Sequence, residues 1–165
     1  MNCEERAMDN ARIAEAMRDH HEVLMADLQR LVDALGDQVS GGSGYADAVG
    51  DLTRFLHSEL YPHARAEEDA LYPMAARRDD LRVLVDTMID EHRHLEGGAE
   101  QIAAAGDGAR AVGAAQAVAT VFRLHAAKEN DYILATLAAD PAVDLDAVIG
   151  RMHALLGAPK APPEP

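Results

Sequence analysis

His125-Ala-Ala-Lys-Glu129-Asn-Asp-Tyr132 and a near-copy, His63-Ala-Arg-Ala-Glu67-Glu-Asp69, decide how this chain reads. In each, a glutamate follows a histidine by four residues inside a helix-like pattern. Residues i and i+4 share one helix face, with β-carbons roughly 5–6 Å apart. An imidazole nitrogen and a carboxylate offered side by side form half of a metal site. Two copies point to a dinuclear one.

Working outward, apolar spacing predicts four long helices. The fourth spans about Ala109 to Ala138, with Val118, Val121 or Phe122, His125, Glu129, Tyr132 and Thr136 on one face. The second spans about Tyr45 to Ala76, with Leu52, Leu56, His63, Glu67, Leu71 and Met74 inward. Pro62 removes a helix hydrogen bond and crowds the preceding turn, so a kink is expected near Glu59–Pro62. The first helix runs from about Glu5 to Leu35 and is stopped by Gly36. Its stripe is Ile13, Met17, His21, Leu24, Leu28, Leu31 and Leu35. The third runs from near Asp79 to about Ala105, with Leu81, Leu84, Met88, His92, Leu95 and Ile102 inward; Gly97-Gly98 weakens it.

Short turns between these segments give an all-α, antiparallel up-down-up-down four-helix bundle. A short C-terminal helix, about Leu145 to Leu156, follows with Val148, Met152, Leu155 and Leu156 as its apolar side. Residues 1–157 then form one domain, and 158–165 are a proline-rich tail expected to be disordered. The chain repeats weakly. His21-x-x-Leu24 precedes His63-x3-Glu67, and His92-x-x-Leu95 precedes His125-x3-Glu129. Each half thus supplies a His helix and then a His-x3-Glu helix, the pseudo-twofold arrangement a two-metal site needs.

Composition narrows the function class. The 165 residues carry a net charge of −14, which repels nucleic acid and anionic membrane surfaces and welcomes cations. No apolar run approaches the roughly 20 residues needed to span a bilayer. The start, Met1 to Arg6, lacks the apolar stretch of a signal peptide. The single cysteine, Cys3, is expected in a frayed terminus, and the simplest location is the reduced cytoplasm.

One histidine on an apolar stripe is usually an ordinary core residue, and one His–Glu pair an ordinary surface contact. Here all four helices turn a histidine inward, and two add a glutamate. Buried without a cation, each unpaired polar group would cost on the order of 1–3 kcal/mol. The candidate metal ligands are therefore His21, His63, Glu67, His92, His125 and Glu129. Imidazoles and carboxylates without a thiolate suit iron, manganese or zinc, and two iron ions fit best. Shared equally, two imidazoles per iron, two bridging glutamates and an oxo or hydroxo bridge leave each iron with an open position for O2, peroxide or NO. His20, His57, His94 and His153 fall off the stripe. Glu96 and Glu59 are alternatives for a further ligand or an entry path, while Glu68, Asn130 and Asp131 are expected to be solvated. Met17 and Met88 line the site with apolar surface, which favours small neutral molecules.

These segments resemble the hemerythrin-like (HHE cation-binding) family over about residues 10–138. The resemblance rests on His21-Glu-Val-Leu, His63-Ala-Arg-Ala-Glu67-Glu-Asp-Ala-Leu-Tyr-Pro73, Asp90-Glu-His92-Arg-His-Leu and His125-Ala-Ala-Lys-Glu129-Asn-Asp. It implies a four-helix bundle with a non-haem di-iron centre on the same six residues. Oxygen-carrying hemerythrins add a fifth histidine one turn from the third-helix ligand and an aspartate five residues after the fourth-helix histidine. Here those positions hold Met88 and Glu96, and Asn130. The set is more similar to bacterial proteins that repair iron centres after nitrosative or oxidative damage, although Cys3 has no partner cysteine. The resulting expectation is a di-iron protein binding or reacting with O2, peroxide or NO in sensing or stress protection. Catalase- or peroxidase-like turnover and an unidentified redox partner are compatible with it. The alternative is reversible O2 or iron storage without turnover.

Overall fold

The computed structural model describes residues 3–42 and 44–157. The expectations for the Cys3 side chain and the tail 158–165 fall outside the described residues. Among the described residues every regular element is helical: α1 is Cys3–Ser40, α2 covers 46–75, α3 82–103, α4 108–138, and α5 is Leu145–Gly157. None of these helices is long and apolar enough to cross a membrane.

The first helix outruns its expected end. Gly36 stays inside it, and the chain turns only at Gly42, whose φ of 67° is left-handed and favours glycine. A glycine inside a helix costs only about 0.5–1 kcal/mol. Burial of Val32 and Leu35, with Val39 packed against the same cluster, outweighs that.

Helices α2 and α4 are irregular where it matters. In α2, π turns at Leu56–Leu60 and Glu67–Leu71 interrupt the α-helix; in α4 one spans Glu129–Leu134. Pro62 and Pro73 each follow a π turn within two residues. A proline ring crowds the carbonyl four residues back and offers no N–H, so a widened preceding turn lets the helix continue. The irregularity expected near Glu59–Pro62 takes this form. Each π turn also rotates the face downstream. Tyr132, expected inward, is 58% exposed, and Thr136 is half-buried, while Ile133, Leu134 and Leu137 are buried instead. In α2 the buried residues after the turn are Tyr72 and Ala75 rather than Met74.

Two apolar clusters flank the inward histidines. One joins Leu24–Leu35 of α1, Leu52–Leu60 of α2, Leu95–Ile102 of α3 and Ala111–Phe122 of α4. The other joins Met17, Leu71, Tyr72, Val85, Met88, Ile133 and Leu137 to Leu145, Val148 and Met152 of α5. In each of the four long helices the inward histidine lies between the segments assigned to the two clusters. Leu155 and Leu156, expected on the apolar side of α5, remain exposed. Asn10 ties the approach to α5 back to α1. Its amide donates to the Val143 carbonyl at 3.0 Å and its oxygen accepts from the Leu145 N–H at 3.2 Å.

Helix α3 is interrupted at Gly97, and Gly98 allows the close approach of α4. A β-carbon there would sit 2.4 Å from Val118 Cγ2, whereas one at Gly36 would meet nothing within 4 Å. Gly98→Ala is therefore expected to cost about 1–3 kcal/mol through overpacking, and Gly36→Ala to stabilise by up to about 1 kcal/mol. Thermal unfolding followed by circular dichroism checks both signs; a higher melting temperature for Gly98→Ala would contradict the packing described.

Candidate metal centre

All six candidate residues are buried, at 0–3% exposure: His21 from α1, His63 and Glu67 from α2, His92 from α3, and His125 and Glu129 from α4. Their helices turn them into the same space. His21 Nε2 lies 3.1 Å from His63 Nε2, and His92 Nε2 lies 3.0 Å from His125 Nε2. The pairing follows the two halves of the sequence repeat.

Glu67 connects the pairs. Its Oε1 is 2.7 Å from His63 Nε2 and 3.2 Å from His21 Nε2, while its Oε2 is 3.3 Å from His92 Nε2 and 3.9 Å from His125 Nε2. His21, His63 and Glu67 therefore form one group able to hold a cation, and Glu67, His92 and His125 form a second. Glu129 also stands between the pairs but farther out, its Oε2 3.6 Å from His125 Nε2 and 3.9 Å from His21 Nε2. Both Glu67 and Glu129 begin a π turn, so each His-x3-Glu segment passes from α to π geometry at its carboxylate.

The outward ring nitrogens are held by other side chains. His21 Nδ1 is 2.8 Å from Asn130 Oδ1, His92 Nδ1 is 2.8 Å from Glu68 Oε1, and His125 Nδ1 is 3.1 Å from Glu91 Oε2. All three partners accept, so in the neutral imidazole the proton sits on Nδ1 and the Nε2 lone pair faces inward. Lys128 pairs with the other oxygen of Glu91. Glu68 and Asn130 are thus not simply solvated. Each follows an inward glutamate by one residue, which turns it off the stripe toward the back of an imidazole on a neighbouring helix. Glu91 precedes His92 in the same way, and neither it nor Lys128 stood out in the sequence.

Tyr72, also missed, puts its phenol oxygen 3.2 Å from His125 Nε2 and stacks on the His92 ring at 5.5 Å. The remaining candidates lie elsewhere. His57, His94, His153, Glu59 and Asp131 are exposed, and Glu96 pairs with Arg65 at 3.1 Å on the outside. His20 is exposed too, although its ring packs 4.9 Å from that of His63. Beside His63 is a cavity of about 370 Å³ between α1 and α5, lined by Ile13, Met17, His20, Met152 and His153 among others.

Electrostatics exposes a shortage of positive charge. Burial disfavours a charged His21, yet its hydrogen bond to Glu67 and the charge of Glu129 lift its pKa to about 9. For His125 burial is likewise outweighed, by Glu129 and Glu67, and the pKa rises to about 10. Glu67 is buried, but His63, His125 and His21 hold its carboxyl well below the usual range. Glu129 goes the other way, pushed up by burial and then by the charge of Glu67. Neither Glu129 oxygen, nor Glu67 Oε2, makes a hydrogen bond. Burial, then Glu129 and Glu67, push the Tyr72 phenol well above its ordinary value, so it stays neutral. Four inward Nε2 atoms around partnerless buried carboxylate oxygens are a donor set that cations complete.

Residues 12–137 match the hemerythrin HHE cation-binding domain. The chain belongs to that family. The matched stretch contains all six site residues and ends before α5. Neither the curated proteins nor the solved structures compared with the chain give a significant match.

Proposed function

We propose that this chain is a non-haem di-iron protein. It binds or reacts with a small oxidant, O2, peroxide or NO, in sensing or in protection against oxidative or nitrosative stress. The observation that carries the reading is Glu67, which offers one oxygen to each histidine pair. His21 and His63 would hold one iron, His92 and His125 the other, and Glu67 and Glu129 would span them. When bound, the irons supply a redox-active centre with an exchangeable position. The chain itself supplies orientation and shelter. Asn130, Glu68 and Glu91 fix three of the imidazoles, neutral Tyr72 offers a phenol proton inside the site, and Met17 and Met88 keep its surroundings apolar.

The same reading takes residues 1–157 as one domain with helices in up-down-up-down order, supported by the alternation of the two clusters along α1–α4. It includes a cytoplasmic location and an unidentified redox partner. The net charge of −14 argues against nucleic acid and anionic membranes as partners.

Metal content and an optical spectrum test it, recorded before and after reduction and exposure to O2, peroxide or NO. About two irons per chain are expected, in line with two-metal sites generally, with a spectrum that changes with each oxidant. A reversible colour change on O2 would favour storage, and oxygen evolution from peroxide would favour turnover. Protein produced with iron supplied yet holding none would sink both.

A further inference from the structure

The four imidazoles are not backed alike. On one side of Glu67, His92 and His125 each direct Nδ1 at a carboxylate, Glu68 at 2.8 Å and Glu91 at 3.1 Å. On the other side His21 meets the neutral amide oxygen of Asn130 at 2.8 Å, and His63 Nδ1 is buried with no hydrogen-bond partner. A carboxylate accepting the Nδ1 proton pushes electron density through the ring and makes Nε2 a stronger ligand. An amide does so weakly. Lys128, on the second oxygen of Glu91, keeps that carboxylate facing His125.

We propose that the two cation positions are unequal. The His92–His125 position fills first and holds a divalent transition metal more tightly, while the His21–His63 position fills second and exchanges its metal. Glu67 and Glu129 reach both positions, and Glu67 stands nearer the His21–His63 pair, so these carboxylates do not favour the His92–His125 position. It arises from Glu68 and Glu91, neither of which reaches the inward space. The surroundings agree, because His63 also lines the cavity between α1 and α5. The weaker position therefore lies beside open space, and the stronger one is enclosed by Tyr72, which stacks on His92, and by Phe122, whose ring is 6.4 Å from that of His125. Arrival and departure of the second metal then proceed on the His63 side.

The inference rests on the two-cation reading, and cobalt(II) separates the two. Metal-free full-length chain is titrated with cobalt(II) without oxygen, followed by calorimetry and by the visible ligand-field bands. The wild type is expected to show two steps, the first at least about tenfold tighter than the second, beyond the statistical difference for equal sites. Substituting Glu68→Gln and Glu91→Gln together keeps shape and hydrogen bonding and removes the charges. That variant should weaken the first step about 10–100-fold and leave the second within about threefold. Both positions are half-exposed, with side-chain exposures of 36% and 24%, so folding is not at stake. Asn130→Leu provides the converse, moving the second step and not the first. Two cobalt ions bound by the wild type with equal affinity, or an unchanged first step in the double variant, would overturn this inference alone. No cobalt bound by the wild type would overturn the two-cation reading with it.

Discussion

Glu67→Ala is expected to abolish tight binding at both cation positions at once, and to destabilise the metal-free protein as well. The reason is geometric: one carboxylate supplies Oε1 to His21 and His63 and Oε2 to His92, with His125 Nε2 at 3.9 Å. Without metal, Glu67 is also the anion that four buried imidazoles surround. Removing one partner of a buried ionic cluster costs about 3–5 kcal/mol, which at about 2–4 °C per kcal/mol is a fall of roughly 6–20 °C in Tm. Glu129→Ala provides the contrast. Its carboxylate has no partner at hydrogen-bond distance, and burial and Glu67 push its pKa up. Losing it relieves a repulsion with Glu67, offset by the cavity left behind and by the lost attraction to charged His21 and His125. The metal-free Glu129→Ala protein should therefore melt close to the wild type while binding metal more weakly. Metal analysis and thermal unfolding on the two metal-free variants check this. Equal Tm losses would show that the carboxylates are not electrostatically distinct.

Part of this site is legible in the sequence, and the reason lies in helix geometry. Up to His21, His92 and His125 the period of an α-helix carries the register, and the burial of these residues follows from stripes that begin several turns earlier; His63 lies just past the first π turn of α2 and is buried all the same. Beyond Glu67 and Glu129 the period is interrupted by π turns that apolar spacing does not encode. An extrapolated stripe then selects Tyr132 and Met74, where the chain buries Ile133 and Tyr72. Gly36 reads as a stop by local propensity, and tertiary burial of Val32 and Leu35 overrides it. The outer partners were invisible for a different reason. Glu68, Glu91 and Asn130 have the composition of solvent-facing positions, and what they touch is the back of an imidazole on another helix. Sequence spacing gives faces within a helix but not the distances between helices.

The metal-free protein should lose stability as pH rises from 7 to 10, and metal binding should release protons across the same range. His21 and His125 have folded-state pKa values of about 9 and about 10, above the ordinary 6.5. A group raised in this way contributes stability that is fully present below the unfolded pKa and lost as pH climbs through the folded one. At about 1.36 kcal/mol per unit, the His21 shift alone is on the order of 3 kcal/mol, or roughly 6–12 °C in Tm. Glu129, also raised, acts in the same direction until its carboxyl ionises in the fold. Glu67 is lowered, so its contribution is present above its unfolded pKa and disappears only in strong acid. A metal binds neutral imidazole, so at pH 7 the protons on His21 and His125 must leave, about two per chain. The apparent affinity of each position should then rise about tenfold per pH unit between pH 7 and 9, one proton leaving per metal. Above that it levels off as first His21 and then His125 deprotonates unaided. Calorimetry of metal binding in buffers of different ionisation enthalpy counts the protons directly, and melting curves of metal-free protein from pH 7 to 10 give the stability side. Near-zero proton release with a flat metal-free melting profile would mean that His21 and His125 are already neutral at pH 7.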